Sequence, residues 1–136
     1  DKVMDSRWIN RPIHDWETVS GLPSKKSHSS KVFYGLKHLI ALRKQKGCFA
    51  DHYNIQFHDA GNEHLLVFER GAGSSKGILV LANFDDSPQV VNTSLLSALG
   101  FIKNGKYHNL IDGTTRQVQS GLLELPPADL LWLTKY

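Results

Sequence analysis

From Cys48 to the end of the chain, short apolar runs alternate with clusters of turn residues, and this punctuation limits the fold more than any other feature. Runs of four to eight residues separated by turn signals are the pattern of an all-β sandwich. They place strands near 54–58, 64–70, 77–84, 88–93, 106–111, 115–119, 121–125 and 129–135. The turns fall at Asp59-Ala60-Gly61-Asn62, Gly71-Ala72-Gly73-Ser74-Ser75, Asn104-Gly105 and Asp112-Gly113, the last two being dipeptides that favour tight hairpins. Leu95 to Leu99 suits a short helical crossover, and Pro126-Pro127 stops one strand before the last begins. Leu65-Leu66-Val67-Phe68, Ile78-Leu79-Val80-Leu81 and Leu130-Leu131-Trp132-Leu133 are apolar at successive positions. A sheet with one wet face alternates instead, so these strands require cover on both faces.

Upstream the signal differs. Residues 1–28 are rich in Pro, Gly and Ser, with room for a turn of helix at Asp15-Trp16-Glu17-Thr18. Val32, Phe33, Leu36, Leu39, Ile40 and Ala41 then recur at helical spacing, which predicts a helix over 30–46. Ser29 or Ser30 serves as its N-cap, and Gly47 after the basic Arg43-Lys44-Lys46 turn as its stop. One face of this helix is expected to cover part of the second sheet face. The expected architecture is mainly β: an antiparallel β-sandwich of about eight strands over residues 48–136, preceded by a loop-rich segment and one amphipathic α-helix over 1–47.

Composition is that of an ordinary globular chain, with 40% apolar and 21% charged residues. No apolar run approaches the roughly 20 residues of a membrane span, so no membrane partner is expected. Sixteen Lys and Arg against thirteen Asp and Glu are scattered and lack interleaved stacking aromatics, which argues against nucleic acid. Cys48 is the single cysteine, excluding an internal disulfide and leaning towards a cytoplasmic setting, with export left open. His52, His58 and His64 stand six apart, which matches no compact zinc set, and no cofactor motif is present, so metal and cofactor are both expected to be none. Asn92-Thr93-Ser94 reads as a chance sequon.

Asp5-Ser6-Arg7-Trp8, followed by Arg11-Pro12 and Asp15-Trp16, then Gly35-Leu36-Lys37-His38-Leu39-Ile40-Ala41-Leu42-Arg43, Leu81-Ala82-Asn83-Phe84, Ser87-Pro88-Gln89 and Leu125-Pro126-Pro127 through Trp132-Leu133, resembles in order the carboxyl end of amylosucrases and their relatives in the α-amylase superfamily of glycoside hydrolases. Arg11-Pro12-Ile13-His14-Asp15-Trp16 partly echoes a loop of the related α-glucosidases. The resemblance implies that 1–47 ends a catalytic barrel and 48–136 is the C-terminal β-sandwich domain. A (β/α)8 barrel takes about 250 residues, so the chain holds only the last part of such an enzyme. The parent would move a glucosyl unit from sucrose to an α-glucan through a covalent Asp intermediate, with a Glu as acid. None of that machinery is expected here, and no residue of this chain is assigned a catalytic role. Neither His14-Asp15 nor His58-Asp59 fits the pair that carries the stabilising Asp. By the same resemblance, Arg7 pairs with an acidic residue and closes the floor of the glucose pocket, a task suited to its planar fork.

The partners implied are the rest of the barrel, sucrose or an α-glucan in the parent, and, with the barrel absent, self-association of the fragment through Val32, Phe33, Leu36 and Ile40. The alternative is a stand-alone carbohydrate-binding β-sandwich module, with Phe57, Tyr53 and Tyr107 as the available stacking aromatics. A third is a structural interaction domain.

Overall fold

The computed structural model describes residues 16–20 and 27–136. Its helices α1 (Trp16–Ser20) and α2 (His28–Gln45) are followed by a 3-10 turn (Gly47–Phe49) and strands β1 (Ile55–Phe57), β2 (Leu65–Arg70), β3 (Ile78–Asn83) and β4 (Gln89–Asn92). After α3 (Thr93–Ala98) come β5 (Lys106–Asn109), β6 (Thr114–Gln117), β7 (Leu122–Leu125) and β8 (Leu130–Thr134). The described chain is thus mainly antiparallel sheet with one long helix, as the run pattern predicts.

Helix α2 begins earlier than expected because Ser27 caps it, in place of Ser29 or Ser30. The Ser30 backbone N–H donates to Ser27 Oγ at 3.1 Å, and the Lys31 N–H donates to the Ser27 carbonyl at 3.1 Å. At the other end the Lys46 N–H returns to the Arg43 carbonyl at 3.3 Å, with Arg43 and Lys44 placed where the helix dipole favours cations. The chain divides into two compact units within this helix, at Ile40 and Ala41.

In the second unit, six strands form one sheet in the order β1-β2-β3-β8-β5-β6, and β4 pairs with β7 in a second, two-stranded sheet. Every pairing is antiparallel. The sandwich is therefore unequal. Val67, Leu79, Leu81, Leu131, Leu133 and Tyr107 of the large sheet pack with Val91, Leu123 and Leu125 of the small one, and Leu96, Phe101 and Ile102 complete the cluster. Burying each such side chain is worth about 1.5–3 kcal/mol. The α3 crossover is held by Asn92, whose Oδ1 accepts from the Ser94 N–H at 2.9 Å, and this brings Leu96 fully into the core.

The other face of the large sheet carries the row Phe57, Phe68, Val80 and Trp132, aligned by register across β1, β2, β3 and β8. Its cover comes from the 3-10 turn: the Phe49 ring lies 5.0 Å from that of Trp132, with the Arg70 guanidinium 5.9 Å from the Phe49 centroid. This explains why Val80 and Trp132 are buried while Phe57, at the β1 edge, is exposed. Gly71 is required here. Its φ is +70°, and a Cβ on it would stand 2.8 Å from Cys48 Cβ.

Asn104 and Gly105 both take positive φ, 53° and 69°, the mirror-image turn that suits strand twist. Asp112-Gly113 does not make a two-residue hairpin. The β5–β6 ladder ends at Asn109 and Thr114, leaving Leu110 to Gly113 as the connection. Two side chains stabilise this wider loop: Asn109 Oδ1 accepts from the Ile111 N–H at 3.2 Å, and Asp112 Oδ1 accepts from the Thr114 N–H at 2.9 Å.

Candidate functional site

Arg7, the one substrate-binding residue expected from sequence, lies outside the described residues, as do Asp5, Trp8, Arg11, Pro12 and Asp15. Trp16 is described and exposed. On α2, Val32, Phe33, Leu36 and Ile40 are between 45% and 56% exposed, an apolar stripe at helical spacing.

The carboxylates of the second unit mostly hold their own turns. Asp51 Oδ1 accepts from the Tyr53 and Asn54 N–H groups at 3.0 and 3.3 Å, Asp59 Oδ1 from Gly61 at 2.7 Å, and Asp129 Oδ1 from Leu130 at 2.8 Å. A cleft of about 440 Å3 beside β4, β6 and β7 is lined by Val90, Tyr107, Gln117, Leu122 and Glu124 among others, with Glu124 its one carboxylate among the described residues. Glycosidic cleavage by the usual route takes two carboxylates across the scissile bond, and the described residues place one at this cleft.

Tyr107 is buried in the core and is removed from the set of stacking aromatics. Phe57 packs on Phe68 at 5.9 Å, and Tyr53 is almost fully exposed. The histidines part company: His58 turns to Glu69, with Nε2 3.7 Å from Oε2, and His64 Nδ1 lies 2.6 Å from Asp85 Oδ2.

Sequence reading missed the buried charge cluster around Glu69. This carboxylate is on the core face, 3% exposed, with Oε1 2.7 Å from Lys135 Nζ in a contact off the line of a hydrogen bond. Lys135 Nζ also sits 5.2 Å from the Phe101 ring centroid. Gly77 makes room for the group, since a Cβ there would stand 2.7 Å from Glu69 Oε1. The signal was in the alternation of β2, where Glu69 shares the inward face with Val67.

Asn83, within the motif Leu81-Ala82-Asn83-Phe84, is a structural clasp. Its Nδ2 donates to the carbonyls of Ser87 at 2.9 Å and Pro126 at 2.8 Å, tying the end of β3 to the segment between β7 and β8. Its Oδ1 accepts from the Asp85 N–H at 2.8 Å. Asp85 in turn accepts from the Ser87 hydroxyl and N–H at 2.8 and 2.9 Å, and these bonds, with smaller help from Asp86 and His64, hold its carboxyl down to about 2. A depressed carboxylate stabilises the fold above its unfolded value and loses that contribution as pH falls through the folded one. Acid titration of the melting temperature should therefore show a limb between about pH 4 and pH 2 that is reduced in Asp85→Asn; an unchanged limb would assign it to other groups.

No protein-family model and no curated protein sequence matches the chain. Solved structures do. A pullulanase from Anoxybacillus sp. LM18-11 superposes with a TM-score of 0.56 and 18% identity over 82% of this chain and 16% of its own length. Its complex with maltotriose matches with the same score and identity over 90% of this chain and 16% of that one. An AmyP variant in complex with maltotriose matches at 0.52 and 15% identity, over 72% of this chain and 20% of that one. At these identities the likeness is one of fold. The chain spans a fifth or less of each of these enzymes.

Proposed function

We propose that this chain is the C-terminal part of an α-amylase-superfamily glycoside hydrolase that acts on α-glucans, and that its own part is structural and non-catalytic. The observation that carries this is the sandwich shared, over up to 90% of the chain, with a short stretch of a pullulanase in complex with maltotriose. In this proposal the exposed α2 stripe is the surface on which the rest of the barrel sits, or, in its absence, a second copy of the chain. The finer proposal, amylosucrase-like glucosyl transfer from sucrose, rests on Asp5-Ser6-Arg7-Trp8 and its order with the helix and strands.

The test is an assay of the 136-residue chain and of a longer protein carrying a barrel ahead of it. The chain alone should release no sugar from sucrose, pullulan or soluble starch. The longer protein should release fructose from sucrose and lengthen a glucan primer. Hydrolysis of α-glucans without fructose release would remove the sucrose assignment and keep the broader one. Turnover by the isolated chain would overturn both.

A further inference from the structure

A second cleft, of about 470 Å3, opens beside the Gly71 to Gly77 loop, and we propose that it binds a phosphate monoester. Its lining includes Gln45, Lys46, Ser75, Lys76, Thr134 and Lys135, and among the described residues no carboxylate. The three lysines arrive from separate parts of the chain: just past α2, the loop between β2 and β3, and the residue after β8. Lys135 is balanced by Glu69. Neither Lys46 nor Lys76 makes an ion pair among the described residues, so two of the three lysines that line the cleft have no acid in contact.

Besides the Glu69 carboxylate, which stands against Lys135 and Gly77, an opposing field comes from the carbonyl end of α2 at Gln45. The helix-end field is offset locally, because the Arg43 carbonyl already accepts from the Lys46 N–H and Arg43 and Lys44 occupy the last turn. Lysine acts as a movable point charge on phosphate, with three oxygens available to separate donors. Ser75, Thr134 and Gln45 add neutral hydrogen-bonding groups at the wall. The volume falls in the range of about 300–1,000 Å3 typical of small-ligand clefts, which leaves space for an organic group beyond the phosphate. The proposal is independent of the glucan assignment.

Titrating the full chain by 1H–15N NMR at low ionic strength, with glucose 6-phosphate, inorganic phosphate and glucose as separate probes, tests it. Glucose 6-phosphate should shift the amides of Lys46, Gly47, Ser75 and Lys76 saturably and bind more tightly than inorganic phosphate, with glucose producing no saturable shift. Combining Lys46→Ala with Lys76→Ala should weaken binding at least about tenfold. The pair Lys46→Gln with Lys76→Gln, which keeps side-chain bulk, should do the same while the melting temperature stays near that of the parent. Equal affinity for inorganic phosphate and the monoester, binding of glucose at the same amides, or phosphate binding unaffected by both double variants would each overturn the proposal.

Discussion

Replacing Lys135 with Met should destabilise the sandwich by about 3–5 kcal/mol, the usual cost of stranding a buried charge. Glu69 is 3% exposed and its Oε1 lies 2.7 Å from Lys135 Nζ, so removing the ammonium leaves the carboxylate facing His58 at 3.7 Å across a poorly aligned gap. The carboxylate itself is buried, so water reaches it poorly even though Gly77 and Lys135 border the neighbouring cleft. The loss belongs to the stranded charge and not to the pair as such. Combining Lys135→Met with Glu69→Gln should therefore recover most of it, since a neutral pair of similar size is often as stable as the ions it replaces. Urea denaturation of the single and double variants at one pH gives the comparison. A single variant within about 1 kcal/mol of the parent, inside the range of surface ion pairs, would mean that Glu69 does not depend on Lys135.

Two buried asparagines, Asn83 and Asn109, show where sequence reading stops. All eight strands were legible because their boundaries are written locally, in Asn104-Gly105, in Pro126-Pro127 and in the apolar runs between. Their order was not, because the pairing of Ile78 with Thr134 and of Asn109 with Leu133 joins residues distant in sequence. Asn109 falls within the expected 106–111 strand with no local sign of a second role, yet its Oδ1 also accepts from the Trp132 N–H at 3.2 Å, a bond that exists only once β8 lies beside β5. Tyr107 was misjudged for a simpler reason. Lys106 and His108 flank it, and the alternation alone turns the tyrosine inward. The expected cap of α2, Ser29 or Ser30, missed Ser27 because all three offer the same hydroxyl, and only the hydrogen bond from the Ser30 N–H shows which one carries it. Of the candidate site, Arg7 was legible only through its resemblance to a known motif, and that residue stands outside those described.

In the longer enzyme of the proposed function, Arg7→Ala should lower kcat/KM on the glucosyl donor by roughly a hundred- to several-thousand-fold, which corresponds to about 3–5 kcal/mol lost from a clamp on a buried carboxylate. The argument is geometric. A guanidinium presents two parallel N–H groups to a carboxylate and fixes its orientation, so the floor of a glucose pocket built this way keeps both its shape and its charge balance. Arg7→Lys restores the charge and not the fork, and should recover only part of the activity. If the clamp serves the pocket, the loss falls on donor turnover, with thermal stability reduced as well because the acid is left unpaired. An exposed substitution such as Lys37→Ala on α2 should change neither. Near-normal kinetics in Arg7→Ala would place the residue at the surface and remove the main support for the sucrose assignment; full recovery by Arg7→Lys would show that a positive charge, without bidentate geometry, is all the pocket requires.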